Sequence, residues 1–166
     1  LSHGADPDLP GTGGITPFMW AAVLNNSDPE QEKIALALLD AGNPDLKRRL
    51  NAHARGTGFS SLSTAILKRL IEAGCDVNER FFVSKQSPLH LLCTREEPPE
   101  RVIPLIELLI KAGADPNQLD VDGLTPLMAC NSPEIALCLM NNGANPSLRN
   151  EDGQTAYDFH MKNGYR

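Results

Sequence analysis

Four histidines and four cysteines are the side chains of this 166-residue chain that are best suited to chemistry. His90 and Cys93 stand three residues apart, so a helix would place them on one face, where they could form a thiol–imidazole pair. The surrounding sequence offers neither a third group to orient the imidazole nor donors for an oxyanion. The other histidines, His3, His53 and His160, are isolated and lack the spacing of metal ligands. These residues therefore predict neither catalysis nor a metal site.

The cysteines are better explained as packing residues. They form no Cys-x-x-Cys pair and match no zinc signature: Cys75, Cys93, Cys130 and Cys138. Each lies in a segment where alanine or another small apolar residue would serve. We therefore expect four reduced core thiols in a cytoplasmic protein, in a reducing compartment.

Two further patterns could in principle bind phosphate. The segment Gly11-Thr12-Gly13-Gly14 is glycine-rich, but it lacks the lysine of a P-loop and is interpreted as a tight turn. Residues 43–85 carry a net charge of +4, whereas residues 1–42 and 86–166 carry −5 each. The basic side chains of this middle segment include Lys47, Arg48, Arg49, Arg55, Lys68 and Arg69. Since the whole chain has a net charge of −6, we expect no nucleic-acid or membrane partner. No cofactor and no small-molecule ligand are expected either.

The elements that position these residues follow a repeat. A glycine phrase recurs at Gly4, Gly42, Gly74, Gly113 and Gly143. A second phrase follows most of these: Thr16-Pro17, Ser87-Pro88, Thr125-Pro126 and Thr155-Ala156. A serine or threonine before proline predicts a helix start, and a glycine in the left-handed conformation ends a helix. Each repeat is therefore predicted to be a turn followed by two helices.

Apolar residues at helical spacing precede each closing glycine and predict the buried faces. They are Ile34, Leu38, Leu39, Ile66, Leu67, Leu70, Ile71, Leu105, Ile106, Leu109, Ile110, Ile135, Leu139 and Met140. Long and short repeats alternate, with extra residues at 25–31 and 95–104. These inserts are interpreted as drifted surface loops, or alternatively as binding loops on the back face. Residues 46–59 fit the pattern worst.

The phrases Ser87-Pro88-Leu89-His90, Ala112-Gly113-Ala114-Asp115-Pro116-Asn117 and Asp122-Gly123-Leu124-Thr125-Pro126-Leu127 resemble those of the ankyrin-repeat family. The resemblance implies an all-α solenoid of helix-turn-helix units with β-hairpin-like fingers. It implies about four full repeats plus partial repeats at both ends, and therefore a fragment of a larger protein. The chain would form one ankyrin-repeat domain, 1–166, with repeats at 1–10 (partial), 11–43, 44–75, 76–114, 115–144 and 145–166 (partial).

In this family the finger tips and the first helices line a concave binding face. Matching residues places the fingers at Gly11–Ile15, Phe81–Gln86, Asp120–Leu124 and Asn150–Gln154. Phe81, Phe82 and Val83 are apolar where the family is polar, so they are predicted to anchor a partner. The alternative is that one phenylalanine packs back under the neighbouring finger or against the poorly matched segment before it.

Four acids, Asp120, Asp122, Glu151 and Asp152, are predicted to face a basic partner surface, or else to form a solvated acidic face. The same fingers contribute Val121, Leu124 and Gln154. Trp20 lies on a first helix, where it could bind a partner or pack in the core. Asn78 resembles ankyrin asparagines that are hydroxylated, and it is also placed to bond backbone in the next repeat.

These observations predict a protein-recognition module rather than an enzyme. It would act as an adaptor, an inhibitor or a substrate-docking domain of a larger protein, including a bacterial effector in host cytoplasm. Two alternatives stay open at this point. The chain could belong to an enzyme whose catalytic residues lie mainly elsewhere, or it could be a structural, self-associating spacer.

Overall fold

A computed structural model describes residues 9, 11, 17, 29–41, 63–80, 83–94 and 96–163. The chain divides into two compact halves, an N-terminal half of residues 1–76 and a C-terminal half of residues 77–166. The helices with described bounds are α1 (Pro29–Ala41), α2 (Thr64–Glu72), α3 (Pro88–Cys93), α4 (Pro99–Lys111), α5 (Pro126–Ala129), α6 (Pro133–Asn141) and α7 (Ala156–Asn163). These described segments contain no strand, and none of their helices is both long and apolar enough to cross a membrane. The predicted all-α architecture is confirmed; the prediction of one continuous domain stays a prediction.

In the N-terminal half, α1 packs against α2. Ser63 caps α2 by accepting a hydrogen bond from the Ile66 N–H at 3.2 Å, which satisfies a donor that the first turn leaves free. The buried face of α2 consists of Ile66, Leu67 and Leu70. Gly74 then ends the helix at a φ of 83°, as the sequence predicts.

In the C-terminal half, helices form two layers. The first helices α3, α5 and α7 pack side by side, as do the second helices α4 and α6. Each first helix also packs on the second helix that follows it, α3 on α4 and α5 on α6. The largest fully buried side chains of these helices are Leu89, Leu92, Ile106, Leu109, Met128 and Ile135. This is the stacked helix pair that the repeat predicts.

The second helices end in the same way. After α4, Gly113 has a φ of 98° and the Ala114 N–H bonds the Leu109 carbonyl at 3.0 Å. After α6, Gly143 has a φ of 95° and the Ala144 N–H bonds the Leu139 carbonyl at 2.9 Å. This left-handed glycine closure satisfies carbonyls that the helix itself leaves free, and it turns the chain into the next finger.

Asparagine side chains join consecutive repeats. Asn78 donates to the Gly113 carbonyl and accepts from the Asp115 N–H, both at 2.8 Å. One repeat later, Asn117 donates to the Gly143 carbonyl at 3.0 Å and accepts from the Asn145 N–H at 2.7 Å. The interpretation of Asn78 as a backbone-binding residue is confirmed; whether it is hydroxylated stays open.

The alternation of long and short repeats resides in the second helices. Helices α1 and α4 have 13 residues each, whereas α2 and α6 have 9. The interpretation of residues 95–104 as a loop is therefore wrong for residues 99–104, which form the first turns of α4. Pro99 suits the first helical position and Val102 begins the buried face, so this proline-rich segment still forms a helix.

The predicted apolar faces are largely confirmed, with two shifts. In α1 the buried residues are Ala35 and Leu39, while Ile34 is 48% exposed. In α6 the buried face ends at Leu139, and Met140 is 42% exposed. In both helices the apolar run is wider than the stripe that contacts the neighbouring helix, so its edge residue faces solvent.

Candidate functional site

Three fingers precede first helices in the C-terminal half: finger A (residues 81–86), finger B (120–124) and finger C (150–154). Fingers B and C are tight turns of the same design. In each finger a backbone hydrogen bond joins the first residue to the last, from the Asp120 N–H to the Leu124 carbonyl at 2.9 Å and from the Asn150 N–H to the Gln154 carbonyl at 3.0 Å. A second bond closes the turn inside each finger, from the Gly123 N–H to the Asp120 carbonyl at 3.3 Å and from the Gly153 N–H to the Asn150 carbonyl at 2.9 Å. Gly123 and Gly153 turn the chain at φ values of 70° and 74°. Glycine has no steric penalty at these positive φ values, so the two turns depend on their glycines.

Side-chain oxygens at the base of each finger hold these turns. The Asp120 carboxylate accepts from the Asp122 and Leu124 N–H groups at 2.9 Å each. At the equivalent position, the Asn150 side chain accepts from the Gln154 N–H at 2.8 Å. Asp120 is buried, with 8% of its surface exposed. The expectation that Asp120 belongs to an exposed acidic surface is therefore wrong, because its carboxylate is buried and accepts hydrogen bonds from the finger's own backbone.

Finger A has a different geometry, because it contains an extra residue. Lys85 has a φ of 55°, a left-handed backbone conformation that is energetically unfavourable for any residue with a Cβ. The Arg80 guanidinium holds this turn by donating to the Lys85 carbonyl at 3.0 Å and to the Leu119 carbonyl. Finger A is therefore anchored both to itself and to the chain leading into finger B.

Neighbouring fingers also contact each other directly. The Val121 N–H of finger B donates to the Ser84 carbonyl of finger A at 2.9 Å. Between fingers B and C, a Cβ added at Gly123 would lie 3.0 Å from the Glu151 Cγ and 3.1 Å from its backbone nitrogen. The three fingers therefore form one contiguous edge, which we call the finger row.

The finger row exposes the following predicted site residues. Val83 is 81% exposed and Val121 is 52% exposed, and Leu119 beside them is 42% exposed. Asp122, Glu151 and Asp152 are also exposed, while Leu124 and Gln154 are half-buried. Phe81, Phe82, Trp20 and residues 12–16 lie outside the described residues, and their roles stay predictions.

The first helices contribute less exposed binding surface than the resemblance to the family implied. In α3 only Leu91 is not buried, and in α5 only Ala129 is not buried. The larger side chains of these two helices thus pack between the layers. On α7, by contrast, Tyr157 is 72% exposed and Met161 is 58% exposed. Among the described residues of fingers A to C and helices α3 and α5, the exposed area lies mainly on the fingers.

His90 has a structural role that accounts for both of its ring nitrogens. Nδ1 accepts from the Ser87 N–H at 3.1 Å, so Nε2 carries the proton and donates to the Leu124 carbonyl at 3.0 Å. Burial lowers the pKa of His90, which keeps the ring neutral. The imidazole therefore links helix α3 to finger B and is not oriented towards a substrate.

The thiols are equally unsuited to nucleophilic chemistry. All four cysteines are buried thiols outside disulfides, as predicted. Burial raises the pKa of Cys93 well above its ordinary value and raises the pKa of Cys130 to about 11. A thiol with a raised pKa contains little of the reactive thiolate at neutral pH. In the part of the chain that the structure describes, no three His, Cys, Asp or Glu side chains are arranged to hold a metal ion.

His160, isolated in the sequence, caps the end of α5. This helix has only four residues, and His160 from α7 lies 3.1 Å from the Leu127 carbonyl through Nε2. The Cys130 thiol donates to the same carbonyl at 3.1 Å. The signal that could have revealed this role is the early Ser132-Pro133 start of α6, which ends α5 before a full second turn.

Comparison with known proteins points to one family. A model of ankyrin repeats in three copies matches residues 54–150. Human ankyrin repeat and SOCS box protein 6 is 30% identical over 154 residues, which cover 76% of this chain and 35% of that protein. Human ankyrin repeat domain-containing protein 37 is 34% identical over 102 residues, covering 60% of this chain and 61% of that protein. Rat ankyrin repeat and SAM domain-containing protein 6 is 41% identical over 63 residues, covering 36% and 7%. This chain thus spans about a third of the length of the first of these relatives.

Proposed function

Because this chain belongs to the ankyrin-repeat family, whose members bind other proteins through their repeats, we propose that it recognises a partner protein through the finger row. The observation that carries the proposal is the exposure of Val83 and Val121 on two adjoining fingers. Exposed apolar side chains on a rigid edge lose solvent-accessible area on binding without first having to be ordered.

We assign the chain the recognition role within a larger protein, as an adaptor, an inhibitor or a substrate-docking domain. Two relatives have names that join ankyrin repeats to a second module, a SOCS box or a SAM domain, which supports this arrangement. The four cysteines, which are buried as thiols and not paired in disulfides, support a reducing compartment such as the cytoplasm. The family is typically not enzymatic, and Cys93 and His90, which stand at the spacing of a thiol–imidazole pair, are engaged in packing and backbone bonding.

Capture of partners from a cell lysate, followed by mass spectrometry, tests the proposal. The variant Val83→Asp/Val121→Asp places charge on the apolar tips. The matched control Leu137→Asp/Met140→Asp makes the same change on α6, where both residues are exposed but lie away from the fingers. Circular dichroism checks that both variants retain the helical content of the wild type.

We expect a partner to be retained by the wild type and the α6 control and to be lost by the finger variant. Equal capture by all three proteins would place the site elsewhere and contradict the finger row. Capture of nothing by any of them would favour the structural, self-associating alternative. The variant Phe81→Ala/Phe82→Ala extends the same test to the predicted aromatic anchors.

A further inference from the structure

The finger row has an apolar end and an acidic end. Val83, Leu119 and Val121 are exposed where finger A meets finger B. Asp122, Glu151 and Asp152 are exposed on fingers B and C. Because the Val121 N–H bonds the Ser84 carbonyl and Gly123 closely approaches Glu151, the two ends are continuous.

The sign of the exposed charge also changes along the finger row. Lys85 is exposed on finger A, whereas finger B exposes one acid and finger C exposes two. Arg149 precedes finger C, but its guanidinium donates to the Gly153 carbonyl at 2.5 Å and lies 3.8 Å from the Asp158 carboxylate. The acidic end therefore keeps a negative potential towards solvent, since the charge of Arg149 faces Asp158.

The apolar end is held in place before any partner arrives. The Arg80 guanidinium fixes the strained Lys85 turn, and the backbone bond from Val121 to Ser84 joins the two tips. A surface that is already ordered loses little conformational entropy on binding. Such an edge suits a short segment of a partner, which need only place a few side chains along it.

We propose that the finger row binds a partner segment in which apolar side chains stand next to lysine or arginine. This inference rests on the proposed function and specifies the chemistry of its partner. The apolar side chains contact Val83, Leu119 and Val121, where their burial supplies affinity. The basic side chains face Asp122, Glu151 and Asp152, and this charge complementarity sets the direction in which the segment lies.

Selection from a random peptide library displayed on phage tests this assignment directly. Wild-type protein is compared with Asp122→Lys/Asp152→Lys, which reverses two charges of the row. The matched control Glu96→Lys/Glu100→Lys makes the same change in net charge at exposed acids outside the fingers. A third variant, Val83→Ser/Val121→Ser, removes the apolar tips without adding charge.

We expect the wild type to enrich peptides that combine lysine or arginine with large apolar residues. These peptides should bind the charge-reversed row at least about tenfold more weakly, and the control within about twofold of wild type. Their affinity should fall as salt is raised, because exposed charges are screened. Loss of binding to the serine variant would confirm that the apolar end takes part.

Two results would overturn the inference, and they differ in what they say of the proposed function. Enriched peptides without basic residues, or with equal affinity for the charge-reversed row, would refute the assigned chemistry and leave a recognition module. Failure of any peptide to be enriched over an unrelated protein would count against both the chemistry and the finger row as a recognition surface.

Discussion

At the scale of single residues, the polar side chains that resemble functional groups mostly bind backbone. His90 joins α3 to finger B, Asp120 closes finger B and Asn78 bridges two repeats. A buried polar group left without a partner costs about 1–3 kcal/mol, so such residues are constrained by the fold itself. Residue type alone therefore cannot separate them from catalytic groups, but their bonding can.

The lowered pKa of His90 makes stability depend on pH. Because burial disfavours the charged ring, the folded state takes up a proton at lower pH than the unfolded state, whose histidine has a pKa near 6.5. The unfolded state then binds more protons, so the contribution is fully present above pH 6.5 and is lost as the pH falls below it. We expect the free energy of unfolding to decrease between pH 7.5 and pH 5.5, as measured by urea denaturation.

The variant His90→Gln isolates this effect. Glutamine can accept and donate hydrogen bonds but does not titrate, so the decrease should be smaller than in the wild type. The other three histidines and all carboxylates are present in both proteins, and their contributions cancel in the comparison. Parallel pH profiles for the two proteins would show that His90 does not titrate as its burial implies.

At the scale of elements, α4 is the clearest example of a helix that forms against its local sequence. Pro104 lies inside it, is exposed, and has no N–H to bond the Glu100 carbonyl. The helix forms because Val102, Leu105, Ile106 and Leu109 are buried on its other side. Tertiary packing thus outweighs the helix-breaking tendency of one residue.

Replacing Pro104 should stabilise the protein. We expect Pro104→Ala to raise the free energy of unfolding by about 1–2 kcal/mol, because it restores one helical hydrogen bond and removes no buried side chain. Part of the gain is offset, since alanine leaves the unfolded chain more flexible. Urea denaturation followed by circular dichroism measures the change.

Pro99 provides the matched control. It occupies the first turn of α4, where its missing N–H would have no helical partner. Pro99→Ala should therefore leave stability unchanged or lower it slightly. An equal gain from both substitutions would mean that the effect does not come from the hydrogen bond that Pro104 lacks inside the helix.

The elements of this fold differ in how far the sequence predicts them. Helix ends are marked by local chemistry, and Ser87, Thr125 and Gly113 lie where such marks place them. The segment 99–104 is mispredicted, because its proline and acid content is typical of loops while its burial depends on distant residues. The sequence does not predict the length of α5 for a similar reason, since its end is stabilised by His160 from another helix.

The candidate site is predicted in outline and corrected in detail. The repeat register places fingers B and C correctly, and Val83, Val121 and Asp122 are exposed. The burial of Asp120 was not predicted, although Asn150 occupies the same position in finger C and would have indicated a shared role. Spacing locates a turn, but the side chain that closes it must be identified from its bonds to backbone.

At the scale of the whole molecule, all four thiols are shielded from solvent. Cys75 lies in the N-terminal half, and Cys93, Cys130 and Cys138 lie in the C-terminal half. Burial protects them sterically, and the raised pKa values of the latter three lower their thiolate content. The cysteines can therefore report the opening of each half.

We expect a thiol reagent at pH 8 to label none of the four cysteines of the native protein during the time in which it labels all four in guanidinium chloride. Mass spectrometry of digested protein identifies which cysteines react. Where labelling does occur at long times, its rate relative to that of the unfolded chain gives the free energy of local opening. Fast labelling of any one cysteine in native buffer would contradict its burial.

The asparagine bridges give this stack a polarity. In both bridges of the C-terminal half the side chain and the carbonyl come from the earlier repeat, and the N–H comes from the first residues of the later one. A repeat removed from the carboxyl side leaves behind an exposed side-chain oxygen, which water can reach. A repeat removed from the amino side instead leaves a fixed main-chain N–H without its acceptor. Engineers who shorten, lengthen or splice such arrays should accordingly cut from the carboxyl side, and should supply an acceptor for the exposed N–H of any new first repeat.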